Sequence, residues 1–136
     1  MNGMRLATLL IVSAALAVTN GDAFAGSAAD GEWVMYAEEA NGNLHFYDPS
    51  RVEKIDALRL VWSGVQYKTS LMGAFSFLNL LEIDCSNRTE KTLQSTFYSD
   101  KHWERPAMKT DTSETANRQI EAGSTMERLA AIVCKP

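Results

Sequence analysis

The chain has 136 residues, with 13 basic and 17 acidic side chains, a net charge of −4 and a hydrophobic fraction of 46%. That length allows one domain of ordinary size. Charges of both signs are interspersed along the chain. Nothing in the composition therefore selects nucleic acid or an anionic lipid surface as partner, since each demands a clustered positive field.

Met1–Arg5 is short and carries one positive charge, Leu6–Val18 runs without a charge, and Ala23-Phe24-Ala25 follows a polar break. A charged start, an apolar middle and an A-x-A end are the parts of a secretory signal. The apolar run would rise only about 20 Å as a helix, short of the roughly 30 Å hydrocarbon core of a bilayer. The expected organisation is a signal peptide over 1–25, cleavage between Ala25 and Gly26, a flexible leader over 26–32 and a domain over 33–134. Cleavage removes one basic residue, Arg5, and one acidic residue, Asp22, so the exported chain keeps its net charge of −4. No second apolar run reaches spanning length, so no integral membrane segment is expected after cleavage and the product is periplasmic or secreted. No cysteine stands just after the apolar run, so no lipid anchor is expected.

Along the exported part, Trp33–Glu38 and Leu44–Tyr47 alternate on either side of Asn41-Gly42-Asn43, the pattern of a hairpin. Asp48-Pro49-Ser50 is expected to stop the second strand, because proline cannot donate to a ladder. Leu58–Tyr67 reads as the next strand, with Gly64 as a candidate bulge, and Lys68–Gly73 as a loop. Ala74–Cys85 and Thr92–Tyr98 alternate about a Ser86–Thr89 turn. Apolar content then collapses from Ser99 to Gly123, which reads as a surface excursion with one short strand at Arg118–Glu121. Ser124-Thr125-Met126-Glu127 has the form of a capping box, and Met126, Leu129, Ala130 and Val133 make one helical stripe. The expected fold class is α+β: an antiparallel sheet of about five to six strands with a C-terminal helix packed on it.

Cys85 and Cys134 are the only cysteines, and an even number in an exported chain reads as a disulfide with a single possible pairing. A metal or redox site would need the short C-x-x-C spacing that the chain lacks. Cys85 shares a strand face with Leu81 and Ile83, and Cys134 borders the helix stripe, so a bridge would tether the helix to the sheet.

Chemistry-bearing motifs are scarce. There is no phosphate loop, nucleophile elbow, H-E-x-x-H or dinucleotide fingerprint, so no catalytic residue, metal or cofactor is expected. Glu82 and Asp84 share a strand face, as general acid–base pairs do, yet outward strand carboxylates ordinarily serve solubility. His45 and His102 are isolated. Tyr36, Tyr47 and Tyr98 are weak binding candidates, if they share the outer face of the sheet.

Taken together, Trp33, Phe46-Tyr47-Asp48-Pro49, the strand with Trp62, Glu82-Ile83-Asp84-Cys85 followed by Arg88, and Gly123-Ser124 with Leu129 and Val133-Cys134 resemble the surface-adhesin protein E-like domain family of proteobacteria. The resemblance spans residues 33–134. It implies an antiparallel sheet, a disulfide-tethered C-terminal helix and a non-enzymatic domain. It also implies a place at the cell surface and a protein partner among host matrix or plasma proteins. The expected function is thus an exported, adhesin-like binding module of the bacterial envelope. The alternative is a periplasmic structural or envelope-maintenance domain without a host ligand.

Overall fold

The computed structural model describes residues 28–136, so the expected signal peptide and the expected Ala25–Gly26 cleavage point lie outside the described residues. Strands β1 (Val34–Glu38), β2 (Leu44–Ile55), β3 (Leu58–Leu71), β4 (Ala74–Asp84) and β5 (Thr89–Tyr98) precede two short strands, β6 (Lys109–Asp111) and β7 (Arg118–Gln119), and helix α1 (Thr125–Val133). Short connections make chain neighbours into antiparallel sheet neighbours. The order is β1-β2-β3-β4-β5-β6, with β7 also on β5, one strand beyond the expected five to six.

Several boundaries differ from the sequence expectation, each for a physical reason. β2 does not stop at Asp48-Pro49-Ser50; its ladder with β3 breaks after Tyr47 and resumes at Val52. Pro49 is exposed inside that irregularity, where no ladder donor is required. Gly64 is not a bulge, for it pairs in regular register with Phe46 and Leu78. A Cβ there would lie 2.7 Å from Trp103 Cζ2 and 2.8 Å from Leu78 Cδ2. Glycine is present because an indole rests on the strand. Lys68–Gly73 is not a loop: β3 runs to Leu71, and Met72-Gly73 is a two-residue turn with both residues at positive φ.

The 99–123 excursion is anchored at several points. It carries β6, and β7 falls inside the expected short strand. Between them Thr115 exchanges two hydrogen bonds with the backbone of Thr92. Arg118 also pairs with the buried Glu90 carboxylate at 2.8 Å. The segment thereby covers the outer edge of β5.

The core lies on both faces of the sheet. On one, Val61, Leu81 and Ile83 meet Leu129, Ala130 and Val133 of α1, with Val52, Tyr36 and Tyr47 packed against them. Each Val, Leu or Ile among them stabilises by roughly 1.5–3 kcal/mol when fully buried. On the other, Leu78, Tyr98 and Trp103 are covered by Ala28, Ala29, Trp33 and Phe46. The expected flexible leader is therefore tied down from Ala28 onward. Arg51 donates to the Ala28 carbonyl, the Trp33 indole donates to the Ala29 carbonyl, and the Arg51 guanidinium sits 5.6 and 5.5 Å from the Trp33 and Trp62 rings. Asp48, with no exposed surface, holds Arg51 and accepts from the Ser50 backbone and hydroxyl. Burial pushes its carboxyl up, but those hydrogen bonds and the Arg51 charge outweigh burial and hold it below the ordinary carboxylate range.

Candidate functional site

Cys85 and Cys134 form a disulfide, with Cα atoms 5.6 Å apart. Cys85 sits just past the end of β4, where its N–H donates to the Ala57 carbonyl. Cys134 is the C-cap of α1, its N–H donating to the Ala130 carbonyl. At the helix start the Ser124 hydroxyl accepts from Glu127 N–H at 3.1 Å. The Glu127 carboxylate, however, accepts from Gly123 N–H rather than from Ser124, so the box closes one residue early. That leaves the other carboxylate oxygen free to reach Arg88 across the gap, at 3.4 Å.

Between these elements runs a cleft of about 500 Å³. Its floor is apolar, made by Ile83, Ile120, Ala130 and the two half-cystines. Charged residues also line it: Asp84, Arg88, Glu127 and Lys135. Arg88 is held at φ +54, a left-handed conformation. It sits in the turn that Asp84 organises by accepting from Ser86 N–H, Asn87 N–H and the Asn87 amide. The Asn87 hydrogen bonds are the main cause holding the Asp84 carboxyl below its usual value. The last turn of α1 carries no basic side chain, but Arg59 reaches its Val133 carbonyl at 3.0 Å. An apolar floor with an exposed ion pair on its rim suits an aliphatic side chain flanked by a charge, the form a peptide segment presents.

The tyrosine candidates do not make a patch. Tyr36 and Tyr47 meet edge-on with centroids 6.0 Å apart, but both pack against the helix side of the core. Tyr98 lies on the opposite face, 5% exposed, beside Trp103. Burial raises the Tyr36 phenol well above its ordinary value, with the nearby Glu39 charge adding to it.

The acid–base pair also dissolves. Glu82 faces Lys91 at 3.7 Å, while Asp84 is spent on the turn. His45 contacts Glu39 at 3.2 Å and His102 approaches Gln66 at 3.4 Å, so the histidines do not converge. Among the described residues no three His, Cys, Asp or Glu side chains gather as a metal site. Sequence reasoning missed Ile120, Glu127 and Lys135 as cleft residues. Ile83, Asp84, Arg88 and the cysteine pair, all quoted in the family resemblance, pointed to the place.

No curated protein matches the chain in sequence. Solved structures of Haemophilus influenzae protein E share its fold. One is 15% identical with a TM-score of 0.58, covering 75% of this chain and 83% of that one. A second crystal form is 15% identical at 0.56, covering 75% and 86%, and a selenomethionine form 14% identical at 0.59, covering 75% and 84%. Identity this low shows the fold alone. The family model of surface-adhesin protein E matches residues 33–135, and the chain belongs to that family.

Proposed function

We propose that the protein is an exported, adhesin-like module without enzymatic activity, which binds a protein partner through the cleft beside the Cys85–Cys134 bridge. What supports the reading is the cleft's build, an apolar floor of Ile83, Ile120 and Ala130 inside a rim of Arg88, Glu127 and Lys135, in a chain of a surface-adhesin family. Protein-binding surfaces combine an apolar centre with a polar rim in this way. Export rests on the signal over 1–25. N-terminal sequencing of the exported protein should begin at Gly26, and a retained Met1 on the exported form would refute cleavage.

The binding test uses purified extracellular-matrix and plasma proteins as probes, the class implied by the family. Ala131 lines the cleft and is exposed, so Ala131→Arg fills it without touching the core. Binding should fall at least about tenfold with an unchanged melting temperature, because one buried contact of this kind is worth about 1.4 kcal/mol or more. If no probe binds, or the variant binds as well as the parent, the cleft reading fails. Retention in the periplasm with no surface exposure would favour the envelope-maintenance alternative.

A further inference from the structure

At the end of the sheet away from the bridge, the β3–β4 hairpin ends in apolar side chains turned to solvent. Met72 is 96% exposed, Leu71 56% and Met108 53%. These three belong together: a Cβ added at Gly73 would touch the Met108 methyl at 3.9 Å, so Met108 lies alongside the turn. Met72 occupies its turn position at φ +51, where glycine or asparagine is at ease and an unbranched apolar residue is not. The local chemistry of a hairpin turn therefore gives no reason for methionine here.

Lysines stand behind the tip, Lys68 with its stem against Gly42 of the β1–β2 turn. Lys101 reaches the Lys68 carbonyl at 3.4 Å, which places both lysines beside the hairpin, and Lys109 follows Met108 directly. Of the nearby acids, Asp100 is turned onto the backbone N–H groups of His102, Glu104 and Arg105, and Glu39 faces His45. Glu104 is followed by Arg105. Lys68 lies 33 positions from Lys101, so the three lysines come together only when the chain folds. Lysines behind a protruding apolar tip, on a chain of net charge −4, bring positive charge and exposed apolar surface to one end of the sheet.

We propose that the β3–β4 tip, Leu71 and Met72 with Met108 beside them and Lys68, Lys101 and Lys109 behind, seats on an anionic phospholipid surface. The shape decides between lipid and protein partners. A protruding methionine has no groove of its own to offer a partner side chain, whereas it enters the headgroup boundary of a bilayer readily. The lysines then stand at headgroup level, each strengthening adsorption about fivefold near an anionic surface. The site is distinct from the cleft and lies at the other end of the sheet, so either can fail alone.

The test is co-sedimentation of the exported protein with vesicles of phosphatidylglycerol and phosphatidylethanolamine, against vesicles of phosphatidylcholine. Binding should be confined to the anionic vesicles and be lost in high salt. Met72→Asn suits the left-handed turn and keeps the fold; it should weaken binding about tenfold, the value of one buried methionine at the low end. Replacing the three lysines with glutamine should weaken it about a hundredfold. Met35→Asn, at an apolar residue on β1 about as exposed as Met108, should leave it unchanged. The assignment is overturned if anionic vesicles do not bind, or if Met72→Asn binds as the parent does. It is equally overturned if Met72→Asn instead abolishes self-association in sedimentation velocity, which would make a second copy the occupant.

Discussion

Replacing Cys134 with serine removes the bridge while leaving the apolar face of α1 intact, and so separates two causes of the helix's attachment. Cys85 and Cys134 are 49 positions apart. Closing a loop of that length lowers the entropy of the unfolded chain enough to stabilise by about 4 kcal/mol. Against this stands packing by Leu129 and Val133, 0% and 5% exposed, worth roughly 1.5–3 kcal/mol each. A nine-residue helix does not persist in water by itself, so without the bridge that packing, with Ala130 and the Arg59 contact to the Val133 carbonyl, is what opposes detachment. The opening free energy of 125–133 should fall by about 4 kcal/mol, which is roughly a thousandfold in amide exchange. Exchange resolved by segment is the assay. The strands β2–β4 should stay protected while α1 exchanges early. If α1 is as protected in Cys134→Ser as in the parent, packing alone holds it and the bridge is not the tether.

Other perturbations report on single contacts. Ser124→Ala removes the hydroxyl that accepts from Glu127 N–H and should cost about 1 kcal/mol, read as a lower urea midpoint; no change would mean that Gly123 and Glu127 hold the cap alone. Gly64→Ala places a methyl against Trp103 and Leu78 and should destabilise by about 1–3 kcal/mol, with a change in tryptophan fluorescence as the indole lifts. Asp48 titrates below its ordinary value, so its contribution is present above about pH 4 and is lost as pH falls through the folded value. Asp48→Asn should therefore lower the melting temperature at pH 7 and flatten its decline into acid; parallel curves for variant and parent would refute the Asp48–Arg51 account.

What was legible in the sequence is what depends on neighbours in the chain. Leu81 and Ile83 alternate with polar residues, and Met126, Leu129 and Val133 recur at helical spacing, because each element must bury one side. Features set by distant residues were misread. Gly64 looked like a bulge since nothing near it announced Trp103, which arrives from 39 positions away. The rule that a strand glycine marks close approach was the available signal. Asp48-Pro49-Ser50 looked like an end because turn chemistry is the same at a bulge and at a terminus. The cleft was the least legible, since Arg88, Ile120 and Lys135 meet only after the bridge brings β4 and α1 together.

The bridge has a consequence for a molecule that is pulled. A load entering beyond Cys134 does not travel back through α1, the 99–123 excursion and β5; it passes through the sulfur atoms into the end of β4. β4 sits between β3 and β5 and is paired along its length. The enclosed segment is then shielded from force, which withholds roughly 170 Å of extensible chain at full stretch. Tension reaches the ladder of a central strand directly, while the cleft residues inside the closed loop, Arg88, Ile120, Glu127 and Ala130, lie off the load path.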